Sequence, residues 1–374
     1  MAKTVLIIGG GFAGLSAAGV LSKYRDKLKV VVVDKSGQSD FLPMLPDVIG
    51  RRIPAKYLSG NIRDLSRKNG FEFIADEVIG LDLINKTART VSRELKYDYV
   101  IIASGSETNF YGNTQIQSNA YKLDSASDAQ KIYDAVAKNN YQSYLIGGGG
   151  YTGIEVATNL RAYLHKKGIK NRIIIIERAS SILGLLPQWM KDYVSVNLRK
   201  LDIEVMVNSA IEKVEGSKIM LGGGVFFDNA MLIWAAGVKT AGFIQNLDVK
   251  KNPQGRIFTD EYLKVDDSCF VAGDTACVLH NSGILRMAVQ FAIMQGERAA
   301  VNVLKSIQGK KLIKFCPVDL GYIIPMANNR SCGVVLGINL KGFIPTLFHY
   351  IMCLYRLGGF RDRRGVLIKL TTGG

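Results

Sequence analysis

Cysteine and histidine are scarce in this chain, five and three of 374 residues. The cysteines (Cys269, Cys277, Cys316, Cys332 and Cys353) are odd in number, lie in the last third and form no C-x-x-C or C-x-x-x-x-C pair. They read as reduced packing residues of a cytosolic protein, not as a disulfide framework. The histidines show no H-x-x-x-H or H-x-x-E spacing, so no metal is expected. Acid is short as well: 32 acidic residues against 48 basic ones leave a net charge of +16. Outside the tail the basic residues are scattered and no aromatic-rich binding motif accompanies them, which argues against a nucleic-acid partner. Long apolar runs are also missing. The best stretch of the tail, residues 343–355 (FIPTLFHYIMCLY), is shorter than the roughly 20 residues a spanning helix needs. The N-terminus passes from Met1-Ala2-Lys3 straight into an apolar run, without the basic, apolar and cleavage-site succession of an export signal. A cytoplasmic location is therefore expected. With 48% hydrophobic and 21% charged residues the chain is a folded one, long enough for two or three domains.

What is present is a repeat. "KTVLIIGGGFAGLSAAGVL" opens the chain, and "SYLIGGGGYTGIEVATNL" returns about 140 residues later. Each reads as an apolar strand, a glycine-rich turn and a helix of small and apolar residues, the first half of a βαβ unit. In the first copy Gly9, Gly11 and Gly14 satisfy G-x-G-x-x-G. The first glycine serves the tight turn, the second allows close backbone approach to a pyrophosphate, and the third lets the helix pack on the strand. The helix opens at about Phe12-Ala13 and offers its N–H groups and positive dipole end to phosphates. Twenty residues past Gly14, the run VVVV ends in Asp34, followed by Lys35, where a carboxylate can accept from a ribose 2′-OH. In the second copy Gly148, Gly150, Tyr151 and Gly153 take these places, and the strand IIII delivers Glu177. The acid favours a free 2′-OH, hence NADH over NADPH. Arg178, next in line, is a cation that a 2′-phosphate could use.

The rest of the chain explains the repeat. Residues 71–91 (FEFIADEVIGLDLINKTARTV) alternate like short antiparallel strands, and "YDYVIIASGS" is a strand ending in the small residues Ala103 and Gly105. "NAMLIWAAGV" ends likewise at Ala236-Gly237, and "CFVAGDTACV" stops at Gly273-Asp274 ahead of a helix predicted over residues 285–307. The expected fold is α/β: two nested Rossmann-like dinucleotide-binding domains plus a C-terminal membrane-binding segment. Residues 1–108 and 236–315 make the first domain, 109–235 the inserted second one, and 316–374 a C-terminal membrane-associating region. From Lys341 onward Lys341, Arg356, Arg361, Arg363, Arg364 and Lys369 stand against Asp362 alone. An apolar segment beside a basic cluster suits an anionic membrane surface. A docked helix with a solvated basic face is the other reading.

The two fingerprints, "YDYVIIASGSETNFYG", "WAAGV", "VAGD", "VQFAIMQGE" and the tail "YRLGGFRDRRGVL" together resemble the two-dinucleotide-binding-domain flavoproteins, and within them the type II NADH dehydrogenases, over nearly the whole chain. The resemblance implies FAD on the first fingerprint, with Asp34 at the ribose and Asp274 at the ribitol, and NADH on the second. Hydride then passes from NADH to the flavin and electrons pass on to a quinone, without proton pumping. The helix beginning around Met287 would stabilise the reduced flavin. Gln290 matches the first glutamine of the family's quinone motif, while Met294 stands where the second is found, with Gln295 beside it. Glu155 matches a glutamate near the nicotinamide, and Pro46 replaces an expected aromatic residue. The resemblance further implies peripheral attachment to the cytoplasmic side of a membrane, and a homodimer through the tail is open. Sulfide:quinone oxidoreductases and disulfide reductases are excluded by the lack of any cysteine before Cys269. A soluble reductase with a ferredoxin-like acceptor, which the positive charge would suit, stays open, as does a slow-turnover nucleotide sensor.

Overall fold

The computed structural model describes residues 2–281 and 283–372. In chain order it contains β1 (Lys3–Ile8), α1 (Phe12–Leu21), β2 (Leu28–Asp34), α2 (Leu45–Gly50), α3 (Ile62–Asn69), β3 (Glu72–Ala75) and β4 (Tyr99–Ile102). Next come β5 (Tyr121–Lys122), β6 (Ser143–Gly147), α4 (Tyr151–Lys166), β7 (Arg172–Ile176), α5 (Gln188–Lys200), β8 (Ile203–Met206) and β9 (Ala230–Trp234). The chain continues with β10 (Cys269–Val271) and α6 (Val289–Ile307), then β11 (Gly321–Ile324), β12 (Ser331–Val335), β13 (Ile338–Gly342), α7 (Phe343–Arg356) and α8 (Phe360–Thr371).

Contacts gather these elements into two units, Met1–Ser39, Gly60–Glu107 and Val238–Asp319 against Asp40–Ser59, Thr108–Gly237 and Leu320–Gly374. Two segments differ from the sequence expectation. Residues 40–59 belong to the second unit because α2 packs on α4, where the missing Cβ of Gly50 admits the Asn159 backbone. Residues 320–374 also belong there and form no separate region, since the sheet β11–β12–β13 adds Ile324 and Cys332 to that unit's core.

The first unit is built on a five-stranded parallel sheet in the order β10-β4-β1-β2-β3. The middles of its central strands, residues 5–8 and 30–33, are continuous apolar runs because both faces are covered; Val5, Leu6, Ile7 and Val32 are buried outright. Each such side chain contributes roughly 1.5–3 kcal/mol on burial. The second unit carries a parallel sheet in the order β5-β9-β6-β7-β8. The core β4-β1-β2-β3 of one repeats as β9-β6-β7-β8 in the other. Each unit thus has a point where strand order reverses, at the carboxyl ends of β1 and β6, and a glycine turn follows each.

Two expectations about individual elements need correction. The segment 72–75 is the parallel edge strand β3, not part of an antiparallel set; the antiparallel strands are Val78–Asp82, Thr87–Thr90 and Glu94–Lys96. The reason is α3, which makes the crossover a strand-helix-strand connection. Its limits are written locally: the Asn61 side chain accepts from the Arg63 and Asp64 N–H groups, and Gly70 closes it at φ 79°. The helix predicted over 285–307 opens only at Val289, with Ala288 as its cap, because the Leu285 N–H is still bonded to the Val278 carbonyl, 2.9 Å.

Candidate functional site: two glycine cradles

Three glycines in each turn do three different things. Gly9 and Gly148 have φ of 106° and 111°, a region that side chains other than glycine avoid. A Cβ on Gly14 or Gly153 would collide with the carbonyl oxygen of Gly9 or Gly148, so these two permit the helix to lie on its own turn. Gly11 and Gly150 are different: a Cβ there would meet nothing within 4 Å. Neither the fold nor the backbone conformation, φ −81° and −80°, asks for glycine at these places. Both are the N-caps of α1 and α4, and neither cap has a side chain to offer the first-turn N–H groups. An opening at an uncapped helix start is what the phosphates of a dinucleotide require.

The strand-end acids brace these turns. Asp34 accepts from the Gly10 N–H through Oδ2, 2.8 Å, and from Ser36 N–H and Oγ–H through Oδ1, 2.8 and 2.7 Å. Glu177 repeats the pattern, accepting from Gly149 N–H, 2.7 Å, and Ala179 N–H, 2.8 Å. Each carboxylate therefore holds the middle of the glycine run, a role that sequence spacing alone did not suggest. Lys35 directs its ammonium to Glu77, 3.4 Å, and Glu107, 3.8 Å, at the surface. Tyr151 opens α4 and stands edge-on to Tyr322.

The second support of the first cradle is the turn after β10. Gly273 has φ 73°, and its N–H donates to the buried side-chain oxygen of Gln295, 2.7 Å. Asp274 accepts from the Ser106 hydroxyl, 2.9 Å, and burial raises its carboxyl against the pull of Arg256. The Thr275 hydroxyl donates to the Gly105 carbonyl, 3.2 Å. The small residues Ala13, Ala17 and Ala18 of α1 share the core with Ala299 and Ala300 of α6, and Gly296 leaves room for the Ala13 carbonyl. Gln295 is thus a brace for Gly273-Asp274. Its neighbour Met294 packs against the core of the unit. Gln290 is buried and donates from its amide to Asp319, 3.1 Å, the same carboxylate that holds Arg286 at 2.6 Å. In the second unit Trp234 donates its indole N–H to the Asn109 carbonyl, 2.9 Å, and Asn109 N–H donates to the carbonyl of Gly237. These bonds tie residues 109 and 234–237 together at the end of β9.

Residues matching the model of the pyridine nucleotide-disulphide oxidoreductases run from 3 to 299. The chain belongs to that family. This oxidoreductase is 26% identical over 383 residues to the demethylphylloquinone reductase NdbB of Synechocystis, covering 94% of this chain and 91% of the relative. It is 22% identical to the type II NADH:quinone oxidoreductase of Haemophilus influenzae, over 88% and 86%. Among solved structures, the NDH2 of Plasmodium falciparum in complex with NADH superposes with a TM-score of 0.86 at 17% identity, over 99% and 97% of the two chains. The disulfide chemistry in the family's description has no counterpart among the described cysteines, all unpaired. Burial raises the thiols of Cys269, Cys277, Cys332 and Cys353.

One cluster in the oxidoreductase's second unit was not anticipated. Glu155 on α4 lines a recess with Pro43, Pro46, Asp47, Asn159 and Tyr350. Burial, and then the charge of Asp47, hold the Glu155 carboxyl well above the usual range. Asp47 itself is raised to about 6 by burial, with Arg51 at 3.2 Å and the Tyr350 hydroxyl at 2.8 Å working against the rise. Pro46, where an aromatic residue was expected, occupies the first turn of α2, a place that suits proline. Glu155 and Pro46 were singled out in the sequence, but Asp47 and Tyr350 were not; Tyr350 meets Asp47 across 303 residues.

Proposed function

We propose that this chain is a peripheral-membrane, FAD-dependent NADH:quinone oxidoreductase that does not pump protons. The observation that carries the reading is the duplicated cradle: two turns in which Gly11 and Gly150 leave an opening that the protein itself does not need. The quinone acceptor follows the relatives, whose names describe reductases of quinones. FAD is held by Gly9, Gly11, Phe12, Ala13 and Gly14, with Asp34, Lys35, Ala103 and Gly105 at the strand ends and Gly273-Asp274 on the opposite side of the turn. NADH is held by Gly148, Gly150, Tyr151, Gly153 and Glu177, with Ala236 and Gly237. When bound, FAD supplies the acceptor for the hydride and passes the electron pair on. The chain's residues position the nucleotides: helix starts face the phosphates, and Asp34 and Glu177 fix the glycine runs while their remaining lone pairs serve a ribose hydroxyl. Gln290, held in place by Asp319, offers an amide to a quinone carbonyl. Burial, and then the charge of Asp47, raise the Glu155 carboxyl and so favour its neutral form.

Helix α7 supports the membrane part of the reading. Its exposed half is Phe343, Ile344, Leu347, Phe348, Ile351, Met352 and Tyr355, whereas its inward half carries Thr346, Tyr350 and Cys353. That is the reverse of a water-facing helix, whose apolar stripe turns to the core. Arg361, Arg363 and Arg364 follow on α8, exposed, and add attraction for anionic lipid of about 1 kcal/mol per residue near the surface. No helix among the described residues is long and apolar enough to cross a membrane; the attachment we infer is peripheral, on the cytoplasmic side.

The test is turnover of the FAD-loaded protein with NADH and a water-soluble quinone, with quinol measured directly. One quinol per NADH is expected; NADH oxidation by ferricyanide with no quinol formed would point to a protein acceptor instead. Truncation after Gly342 should release the protein from vesicles of anionic lipid, and a truncated protein that still sediments with them would refute the anchor.

A further inference from the structure

We propose that the tip of the hairpin β12–β13, Leu336 with Ile338, is a second point of insertion into the same anionic bilayer; this rests on the reading of α7 as membrane-facing. The tip is a two-residue turn, Leu336-Gly337, with φ of 50° and 82°. Turns of this geometry take Asn, Asp or Gly, because a left-handed φ strains other side chains. Leucine is therefore a poor choice for the fold. Two other leucines share a positive φ, Leu183 and Leu263, and both are buried, so packing compensates them; Leu336 is 71% exposed. Nothing inside the protein rewards a leucine here, and water does not.

Register places Ile338 with it. Val335 pairs with Ile338 and with Gly321, and the Leu336 N–H donates to the Leu320 carbonyl, 3.2 Å. Leu320, Leu336 and Ile338, all exposed and Ile338 to 63%, therefore lie at one end of the sheet. Ser331, two pairs of residues back on the face that carries Val335 and Ile338, bonds through its hydroxyl to Thr346 of α7. Helix and tip thus share one face of the sheet, since side chains on a strand alternate in direction and directly paired residues point the same way. The other face, with Ile324, Cys332 and Val334, packs on the unit's core, where Lys341 lies over the Trp189 and Tyr193 rings. Ile338 stands four residues along β13 from Gly342, about 13 Å at the rise of a strand. A bilayer resting on the apolar half of α7 is within reach of the tip. The occupant we assign is an anionic lipid surface, because the exposed apolar residues adjoin a segment whose charge is +5, six basic residues from Lys341 onward against Asp362.

The experiment compares L336N/I338T with wild type, F348S/I351S and I84S. Asparagine suits the left-handed position and threonine suits a strand, so the double variant is expected to melt no lower than wild type. Ile84, 92% exposed at a turn of the first unit, is a control for loss of surface apolarity. Each protein is mixed with sonicated phosphatidylcholine vesicles containing phosphatidylglycerol and sedimented. L336N/I338T is expected to bind about tenfold more weakly at low and high salt alike, with NADH:ferricyanide activity unchanged, while I84S binds as wild type. Wild-type binding by L336N/I338T together with release of F348S/I351S would overturn the hairpin's role and leave the helix reading intact. Binding unchanged in both would overturn both. If L336N/I338T changes sedimentation velocity without vesicles and leaves vesicle binding unchanged, the tip meets a second copy of the chain and the inference is wrong.

Discussion

Gly150→Ala separates a glycine needed by the ligand from one needed by the fold. At Gly150 the backbone is extended, φ −80° and ψ −170°, and the added methyl meets nothing within 4 Å. Alanine there narrows the unfolded ensemble without strain but is a poorer N-cap than glycine, so stability should change by less than about 1 kcal/mol, or about 2–4 °C in Tm for a unit of this size. In the NADH site proposed above, the same methyl would occupy the space through which the pyrophosphate approaches the α4 N–H groups, so the KM for NADH should rise at least about tenfold, equivalent to about 1.4 kcal/mol. At Gly153 the methyl collides with the Gly148 carbonyl; backbone cannot yield as a side chain does, and a loss of about 1–3 kcal/mol or more is expected. The assay pairs thermal unfolding without nucleotide with initial rates over a range of NADH concentrations. A Gly150→Ala protein that is destabilised like Gly153→Ala, or one with an unchanged KM, would refute the reasoning.

Glu177→Ala removes the brace to Gly149 and Ala179 together with the ribose acceptor proposed above, so the KM for NADH should rise with bound FAD retained; unchanged NADH kinetics would remove Glu177 from the site. Gln290→Ala should slow reoxidation by quinone and leave reduction by NADH alone, and equal effects on both steps would contradict its place. Asp47 gives a dependence on pH. Its carboxyl is raised from 3.8 to about 6, so below about pH 4 it contributes nothing, and between about 4 and 6 the unfolded chain releases its proton first. Folded stability therefore falls by about 3 kcal/mol as pH rises through this range. His349, lowered from 6.5 to about 4 by burial and Arg51, acts in the opposite direction, so the readout is the difference between variant and wild type. Asp47→Asn should gain in Tm on the wild type from pH 4 to 7; a constant or shrinking difference would contradict the burial of an ionisable group there.

The glycine turns and their acids were legible because their physics is local: a strand end, a left-handed φ, a helix start and a second strand end lie within about 30 residues. The same holds for α3, whose Asn61 and Gly70 caps were there to be read and would have shown β3 to be parallel. Gln295 was hidden for another reason. Its amide matters only because Gly296 and Ala13 bring α6 onto α1, which no periodicity reveals. Asp47 and Tyr350 are further still from inspection, being 303 residues apart. The assignment of residues 40–59 and 320–374 to the second unit likewise depends on Gly50 meeting Asn159 and on Ile324 and Cys332 joining a distant core. The tail's apolar and basic pattern was plain, but the reversal of α7, polar side inward, needed the packed neighbours Ser331 and Asp47 to be known.

The central claim is a sequence of two half-reactions, and anaerobic stopped-flow spectroscopy tests it most directly. The FAD-loaded protein is mixed with NADH, the flavin absorbance is followed, and a soluble quinone is then added. Rapid bleaching by NADH followed by rapid return with quinone is expected. Bleaching that quinone does not reverse, or no bleaching at all, would contradict the account.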